Sequence, residues 1–371
     1  MGSSTSQEFH RVIGIDLGTT YSAVAVYSSH SGLAEIIEDH IDPSNEGKGT
    51  TPSVIGQHPL TRKAVVGWWA KRQLRLSLDP RDTIIEIKRE MGEEFREETL
   101  DKYNARGVYK VGDPVKAYFA GQWLMPQEIS AFTLMKMKQI AENEIGEEIR
   151  DAVITVPAFF TEKQKRATEE AGLLAGLYPR QIIPEPTAAA ICYGVDTLEE
   201  ERKIYLVYDL GGGTFDVSII SVEEQNVDVI ANSGDSRLGG GDFDDAITDW
   251  ALGQLEQQYG PELIKKPKTR DIVKFYAEQA KIDLSTFEET DLAPLEIDPN
   301  KPPVLKLTRA DFENLIDPFL RKSLNFIDKA IIAAKEKGVT RDDIDAVLLV
   351  GGSTRIPCIK TLILDHLLMS N

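Results

Sequence analysis

Residues 12–22 have the sequence VIGIDLGTTYS, and residues 207–216 have the sequence VYDLGGGTFD. Each segment contains a strand of mainly apolar residues, an aspartate, a turn with glycine and the start of a second strand. The two aspartates, Asp16 and Asp209, are 209 − 16 = 193 residues apart. Two copies of this pattern predict a chain that is built from two similar units.

A second pair of strands keeps the same spacing. Residues 152–157 (AVITVP) and 346–352 (AVLLVGG) have the apolar composition of buried strands and end in a proline or a glycine pair. Val153 lies 153 − 16 = 137 residues after the first aspartate, and Val347 lies 347 − 209 = 138 residues after the second. Four strands that obey one spacing predict two similar α/β lobes.

Each lobe is predicted to begin with three strands joined by short polar or glycine turns, which favour antiparallel hairpins. These strands are 11–16, 21–27 and 33–38 in the first lobe, and 203–209, 215–222 and 226–233 in the second. Apolar residues at helical spacing predict later helices at 127–145 and 310–335. Antiparallel hairpins followed by parallel crossovers are typical of a ribonuclease-H-like lobe.

The predicted domains follow from this duplication. They are a flexible leader (1–10), lobe I (11–198, with a core at 11–45 and 126–198 and an inserted subdomain at 46–125) and lobe II (199–371, with a core at 199–238 and 309–371 and an inserted subdomain at 239–308). In lobe I, a helix, a strand and a helix at 162–194 follow the buried strand, whereas in lobe II only a helix at 356–368 follows. We therefore expect a truncated chain or a fragment of a longer one.

Composition narrows the classes of partner and of location that the protein is expected to have. The formal charge of −18, from 42 basic and 60 acidic residues, disfavours nucleic-acid partners. The two cysteines, Cys192 and Cys358, form no C-x-x-C pair, and no apolar run reaches membrane length. We therefore expect a cytoplasmic protein without a membrane partner. Residues 1–6 (MGSSTS) fit a loose N-myristoylation pattern, but a polar leader is the favoured interpretation.

The two turns after the aspartates have the composition of a phosphate site. Residues 16–20 (DLGTT) combine glycine with two hydroxyl groups, and a turn of this kind directs backbone N–H groups at a phosphate. In residues 211–214 (GGGT), three glycines let the backbone approach phosphate oxygens closely. Two facing turns would hold a β,γ-phosphate from both sides. Asp16 and Asp209 would hold Mg²⁺ largely through water.

Other glycine clusters leave alternatives open. No G-x-x-x-x-G-K-[ST] and no G-x-G-x-x-G occurs, which excludes the P-loop and dinucleotide-binding patterns. Residues 239–244 (GGGDFD) fit either the start of a helix with an aspartate cap or a turn that contacts phosphate or ribose. Residues 351–355 (GGSTR) would let a flat ring approach, with Arg355 stacked on adenine. The alternative is a strand-to-helix turn with a solvated arginine.

Five motifs together resemble the 70-kilodalton heat-shock chaperones of the DnaK type. They are GIDLGTTYS (14–22), VPAFF (156–160), EPTAAA (185–190), DLGGGTFD (209–216) and VGGSTRIP (350–357). The resemblance covers residues 11–364 and implies the nucleotide-binding (ATPase) domain of that family, with the actin-like ATPase fold. It also implies ATP or ADP, Mg²⁺ and possible K⁺ as cofactors.

The resemblance assigns roles to individual residues. Asp16, Glu185 and Asp209 would surround Mg²⁺, and Lys88 would position the attacking water beside them as the fourth catalytic group. Phosphate contacts would come from Gly18, Thr19, Thr20, Tyr21, Gly211, Gly212, Gly213, Thr214, Gly239 and Gly240. Asp216, with Asp16, Tyr21 and Thr214, would hold K⁺. Ribose and adenine contacts would come from Glu278, Lys281, Ser285, Gly352, Ser353 and Arg355. From the residues alone, Lys88 fits a solvated lysine equally well, and Glu185 fits a helix start.

Four departures from the family pattern qualify these expectations. Ile282 stands where many relatives have an arginine against adenine, so nucleotide affinity or exchange is expected to differ. Gln181 replaces the usual arginine that takes part in signalling to J-domain partners, which puts that coupling in doubt. Pro184 replaces the usual asparagine. The family continues beyond Asn371 with a closing helix, a linker and a peptide-binding domain.

The predicted function is an ATPase switch of a molecular chaperone in protein folding and the stress response. Lobe closure on ATP would control a peptide-binding domain, with slow hydrolysis in this chain and with a J-domain co-chaperone and a nucleotide-exchange factor as partners. The alternatives are a nucleotide-gated scaffold with little hydrolysis and a sugar or acetate kinase on the same fold. The kinase is disfavoured because no acceptor-site pattern is present.

Overall fold

The structure is a computed structural model that describes residues 11–42, 48–76, 82–92, 109–110, 115–194, 202–223, 226–265, 268–298 and 302–369. The predicted leader at 1–10 lies outside the described residues. The fold is α/β, with several sheets and helices on their faces, and it is consistent with the predicted actin-like ATPase fold.

The strands, numbered in chain order, are β1 (Val12–Asp16), β2 (Tyr21–Tyr27), β3 (Ala34–Ile36), β4 (Thr51–Pro52), β5 (Ile55–Gln57), β6 (Ala64–Val66), β7 (Thr83–Ile84), β8 (Tyr109–Lys110), β9 (Lys116–Phe119), β10 (Gln122–Leu124), β11 (Asp151–Val156), β12 (Tyr178–Pro184), β13 (Lys203–Leu210), β14 (Phe215–Glu223), β15 (Asn226–Asp235), β16 (Glu289–Leu292), β17 (Leu305–Thr308) and β18 (Ala346–Val350). The helices are α1 (Trp68–Leu76), α2 (Pro126–Ile145), α3 (Glu162–Leu174), α4 (Glu185–Gly194), α5 (Gly240–Tyr259), α6 (Pro261–Ile264), α7 (Thr269–Asp283), α8 (Arg309–Lys335) and α9 (Pro357–Met369).

Two large sheets share one topology. The first has the order β12-β11-β1-β2-β3, with β4 also paired to β2, and the second has the order β15-β14-β13-β18. In each sheet the opening three strands are antiparallel neighbours, and the later strand, β11 or β18, pairs in parallel with the first. The predicted duplication is therefore confirmed at the level of strand order. Most of the predicted strand bounds agree with the structure to within two residues.

Strand patterning explains how the sheets are covered. In β1, Ile13 and Ile15 are buried while Val12, Gly14 and Asp16 are exposed, because alternate residues of a strand point to opposite faces. Almost every residue of β13 is buried, since this strand is central and its sheet is covered on both faces. Both patterns bring an aspartate to the carboxyl end of a central strand.

Helix starts are fixed by local hydrogen bonds. Thr161 accepts a bond from the Gln164 amide (3.3 Å), and its own amide donates to Gln164 Oε1 (2.8 Å), which forms a capping box for α3. Thr308 accepts from the Asp311 amide (3.1 Å) at the start of α8. Such caps contribute about 1 kcal/mol each to helix stability.

The buried cores are largely separate. One cluster contains residues up to Leu177 and lies around the first sheet, and a larger one contains residues from Ile204 onward around the second. Helix α4 is an exception, because Ala190 packs with Tyr205 and Val207 on the second sheet. The domain boundaries remain a prediction. Among the described residues, no helix is long and apolar enough to span a membrane.

Candidate functional site

The two glycine turns lie in direct contact. A Cβ atom added at Gly212 would lie 1.9 Å from Thr20 Oγ1, and one added at Gly213 would lie 2.2 Å from Thr19 Cγ2. The first turn joins β1 to β2 and the second joins β13 to β14, so the contact forms between the two large sheets. Two turns that are 193 residues apart in sequence therefore converge face to face, as the sequence predicted.

Each turn is closed by its own backbone. The Gly211 amide donates to the Thr214 carbonyl (3.1 Å). In the other turn, a Cβ atom at Gly18 would lie 1.9 Å from the Tyr21 carbonyl oxygen, so the chain there requires glycine. Thr19 is buried, and its hydroxyl has no hydrogen-bond partner within the described part of the chain. A buried polar atom without a partner carries a free-energy cost that a bound polar ligand can remove.

The carbonyl oxygens of the second turn are all engaged by protein donors. Gly211 O accepts from the Gly240 amide (2.9 Å) and from Ser353 Oγ (2.9 Å). Gly212 O accepts from the Gly241 amide (2.6 Å), and Gly213 O accepts from Arg89 Nε (2.9 Å). Because these carbonyl oxygens are bonded to protein donors, their partial negative charge is directed away from any anion that binds at the turn.

Lys88 lies buried beside the predicted carboxylates. Its Nζ atom is 2.6 Å from Glu185 Oε1, and the side chain is 5% exposed, so the alternative of a solvated lysine is wrong. Asp209 interacts electrostatically with Glu185, Asp16, Asp216 and Lys88. The structure thus brings all four predicted catalytic residues into one cluster around a single ammonium group.

Burial has the largest effect on the pKa values of Glu185 and Asp209 in this cluster. Burial raises the pKa of Glu185; Lys88 opposes the rise, while nearby Asp16 adds to it. Burial also raises the pKa of Asp209 well above its ordinary range, and repulsion from Glu185 and Asp16 raises it further. Several carboxylates around one lysine therefore leave a deficit of positive charge.

Asp216 is held by a different set of groups. Its Oδ2 atom accepts from the Ala158 amide (2.6 Å), and its Oδ1 atom accepts from Ser218 Oγ (3.1 Å). Burial raises the pKa of Asp216 to about 7, although these hydrogen bonds act in the opposite direction. Its predicted role at K⁺ remains a prediction.

The carboxylate cluster has oxygen donors of the kind that Mg²⁺ prefers. Among the described residues, no group of three His, Cys, Asp or Glu side chains converges closely enough to hold a metal ion directly. Mg²⁺ commonly keeps several waters and takes one or two carboxylates, and a cation bound here would offset the burial and the repulsion that raise the pKa of Asp209. The assignment of Asp16, Glu185, Asp209 and Asp216 to metal binding stays a prediction.

Comparison with protein-family models identifies a family for this chain. The model described as "HSP70: Hsp70 protein" matches residues 12–368, which is nearly the whole chain. The chain belongs to the Hsp70 family. Membership makes it, in general terms, a chaperone ATPase domain that uses a nucleotide and Mg²⁺ and interacts with co-chaperones.

The glycine cluster at 239–244 of this Hsp70 domain begins a helix and also contacts the turn at 211–214. Gly239 precedes α5, and its amide donates to Asp242 Oδ2 (2.9 Å), as expected for a helix start with an acidic cap. A Cβ atom at Gly239 would also lie 2.7 Å from the Gly213 amide nitrogen, so the same segment contacts the turn at 211–214, and its contact with phosphate or ribose remains a prediction. Gly240 is crowded by a different segment, because a Cβ atom there would lie 2.5 Å from Ser353 Oγ.

The predicted ribose and adenine residues lie on two elements of lobe II. On α7, Lys281 Nζ pairs with Asp244 Oδ1 (2.8 Å), and Ser285, after the helix, donates from Oγ to the Lys281 carbonyl (3.3 Å). Arg355 is exposed at the end of the 3-10 turn Gly352–Arg355, and Ile282 is also exposed. Their contacts with a base remain a prediction.

Ion pairs between the lobes are the feature that the sequence did not reveal. Arg89 is buried and joins lobe I to Asp242 (2.9 Å) on α5, while Glu86 bonds both Arg89 (2.9 Å) and Lys274 (3.5 Å). Lys71 on α1 is bonded to Glu278 (2.6 Å) on α7. A charge-rich segment at 86–90 predicts a solvated surface when its distant partners are unknown, so no local signal marked these pairs.

Proposed function

We propose that the chain binds ATP with Mg²⁺ between the turns 16–20 and 211–214 and hydrolyses it slowly. The observation that supports this most directly is the contact of the two turns. One turn offers the buried hydroxyl group of Thr19, and the other offers glycine backbone whose carbonyls are bonded to protein donors. This arrangement of donors suits a β,γ-phosphate, whose charge would be stabilised by backbone N–H groups and hydroxyls.

The proposed catalytic groups act by position and charge. Lys88, whose ammonium group is bonded to Glu185, would also hold the attacking water. Its positive charge would lower the electrostatic cost of negative charge at the γ-phosphate. Asp16, Glu185 and Asp209 would hold Mg²⁺ through water, and the bound cation would neutralise phosphate charge. Asp216 would contribute to a K⁺ site. Glu278, Lys281, Ser285 and Arg355 would fix the nucleoside.

Lobe motion follows from the same geometry. A phosphate group cannot lie between turns whose side chains and backbone already touch, so entry of ATP requires the turns to separate. Arg89, Glu86 and Lys71 make the ion pairs that would break and re-form during this motion. We propose that nucleotide state thereby shifts the population of open and closed lobes.

In the full chaperone this motion would control a peptide-binding domain, with a J-domain protein and an exchange factor as partners. The J-domain coupling is less well supported than nucleotide binding. Gln181 takes the place of the family arginine, and the neighbouring Arg180 is bonded to Asp151 (2.7 Å) through Nε. An arginine that is already paired is a poor substitute for a signalling group.

One observation favours the alternative of a nucleotide-gated scaffold. Lys88 is bonded to Glu185 at 2.6 Å, and hydrolysis requires part of that ammonium to face water instead. Calorimetry of ATP binding combined with phosphate release separates the two functions. Tight binding without phosphate release supports the scaffold, and release in a single turnover supports the ATPase.

The catalytic assignment is tested by Lys88→Ala in a single-turnover assay. We expect phosphate release to fall about 100-fold, because a preorganised charge at the reacting group is lost. Lys136→Ala is the matched control, since Lys136 is also a buried lysine paired with a carboxylate, Asp39 (2.8 Å). Unchanged hydrolysis in Lys88→Ala would remove Lys88 from the mechanism.

A further inference from the structure

Trp68 lies at the first position of α1, close to the boundary between the lobes. Its ring centroid is 5.9 Å from that of Tyr21, with 50° between the planes. Two ammonium groups approach the same indole: Lys48 Nζ is 4.1 Å from the ring centroid, and Lys71 Nζ is 5.3 Å from it. Both distances fall within the range of about 6 Å over which a cation is attracted to an aromatic face.

Lys71 connects this aromatic pair to the other lobe. Its Nζ atom donates to Tyr21 Oη (2.6 Å) and to Glu278 Oε1 (2.6 Å). Tyr21 Oη also donates to Glu278 Oε1 (2.9 Å), which closes a triangle of three polar groups. The Lys71 side chain is 7% exposed, so its ammonium group is surrounded by these neighbours rather than by bulk water.

The aromatic rings complete the surroundings of that ammonium. Lys71 Nζ lies 4.6 Å from the Tyr21 ring centroid, in addition to its approach to Trp68. An ion pair in a water-poor site is worth more than an exposed one, provided that its charges stay in position. A large ring beside the lysine restricts its side chain and excludes water from its bond with Glu278.

We propose that Trp68 is a positioning residue that holds Lys71 against Glu278 and thereby slows the release of nucleotide from the cleft. This inference rests on the proposed function, because Tyr21 belongs to the turn that would hold the phosphates. Trp68 acts through Lys71 and is not expected to touch the reacting atoms. Its loss should therefore speed both the release and the entry of nucleotide, because each requires the Lys71–Glu278 pair to open, and should leave the chemical step unchanged.

The adjacent tryptophan supplies a matched control. Trp69 stacks on His58, with ring centroids 5.2 Å apart and 7° between the planes. His58 lies in the segment between β5 and β6, so Trp69 packs within lobe I. A substitution at Trp69 removes the same ring from the same helix turn without removing the ring beside Lys71.

The first test follows dissociation of a fluorescent methylanthraniloyl-ADP by stopped flow. We expect Trp68→Leu to raise the dissociation rate about fivefold, in line with the loss of a desolvated cation–aromatic contact. Trp68→Phe should restore most of the slow release, and Trp69→Leu should leave the rate unchanged. In a Lys71→Met background, Trp68→Leu should have no further effect, because the ammonium that it positions is gone.

Two results would overturn the proposal. One is an unchanged dissociation rate in Trp68→Leu, and the other is a rate increase of the same factor in the Lys71→Met background. The double substitution is the decisive arm, because a general loosening of α1 would add to the effect of Lys71→Met instead of vanishing.

A second readout does not depend on nucleotide. Spin labels at Leu60→Cys and Phe287→Cys, where the native side chains are 87% and 61% exposed, report the distance between the lobes. Cys192→Ser and Cys358→Ala remove the native thiols first. Trp68→Leu should broaden this distance distribution without nucleotide, and Trp69→Leu should not. Equal distributions contradict the role of Trp68. Absence of ADP binding to the unsubstituted chain contradicts the proposed function instead.

Discussion

The turns at 16–20 and 211–214 occupy equivalent places in their sheets, yet they contribute different chemical groups. The lobe I turn presents the side chains of Thr19 and Thr20, whereas the lobe II turn is three glycines that leave space for them. The difference shows that a duplicated chain can form a composite site because its halves have become complementary. Two identical threonine turns could not approach each other to the same distance.

The two turns also differ in what holds them. Thr19 Oγ1 has no partner among the described residues, while the carbonyls of Gly211, Gly212 and Gly213 all accept hydrogen bonds. One turn is therefore prepared to receive a polar ligand, and the other is fixed in place as a backbone surface. Substitutions of Arg89, Gly213 and Thr19 therefore alter the two turns one at a time.

Arg89→Met is expected to have the largest effect. Arg89 is buried and supports the glycine turn through the Gly213 carbonyl, while its charge is balanced by Glu86 and Asp242. Removing it takes the arginine from the buried Asp242 and leaves Glu86 with Lys274, which should lower the free energy of unfolding by about 3–5 kcal/mol. Urea denaturation measures the change.

Arg270→Met serves as the control for that experiment. Arg270 also pairs with two carboxylates, Asp245 and Asp249, but it is 45% exposed. Its loss should cost no more than about 1 kcal/mol. If both substitutions cost the same, burial between the lobes is not what makes Arg89 important.

Gly213→Ala is expected to have the second-largest effect. The added methyl group would overlap Thr19 and Arg89, and relief of such overpacking costs about 1–3 kcal/mol. Calorimetry should show ATP affinity reduced by about tenfold or more. Gly253→Ala is the control, because nothing lies within 4 Å of its added Cβ atom. Equal affinities in both variants would separate ATP binding from the contact of the turns.

Thr19→Val is expected to have the smallest effect, with opposite signs for stability and binding. Valine keeps the shape and removes a buried hydroxyl that has no partner in the described chain, so the free energy of unfolding should rise by about 1 kcal/mol. ATP affinity should fall about fivefold to tenfold, because a donor to phosphate is lost.

Thr168→Val provides the comparison for that prediction. Thr168 is equally buried, but its Oγ1 atom donates to the Gln164 carbonyl (3.0 Å). There the same substitution should destabilise the chain by about 1 kcal/mol. A loss of stability in both variants would mean that the Thr19 hydroxyl already has a partner in solution.

The strands and the facing turns could be predicted because their signals are local. Short runs of mainly apolar residues predict β1 and β13, and glycine with small hydroxyl residues predicts the turns that follow them. The common spacing then relates the two halves without any knowledge of contacts. Strand order in both sheets agrees with this argument.

The ion pairs and the aromatic cluster could not be predicted, since they depend on residues far apart in sequence. Arg89 and Asp242 are separated by 153 positions, and Lys71 and Glu278 by 207. Nothing within a few residues of Lys71 distinguishes it from the exposed Arg72 beside it. Electrostatic partners of this kind become visible only when the sheets are packed.

The parallel pairing of β1 with β11, and of β13 with β18, has a consequence for synthesis. The strand that contains Val12 can pair with β11 only after Asp151 has been synthesised. In the same way, the strand that contains Tyr205 can pair with β18 only after Ala346 has been synthesised. Contacts of such high sequence separation slow folding, because loop closure has to precede any gain from them. A nascent chain should therefore acquire its binding cleft only after most of its length has left the ribosome.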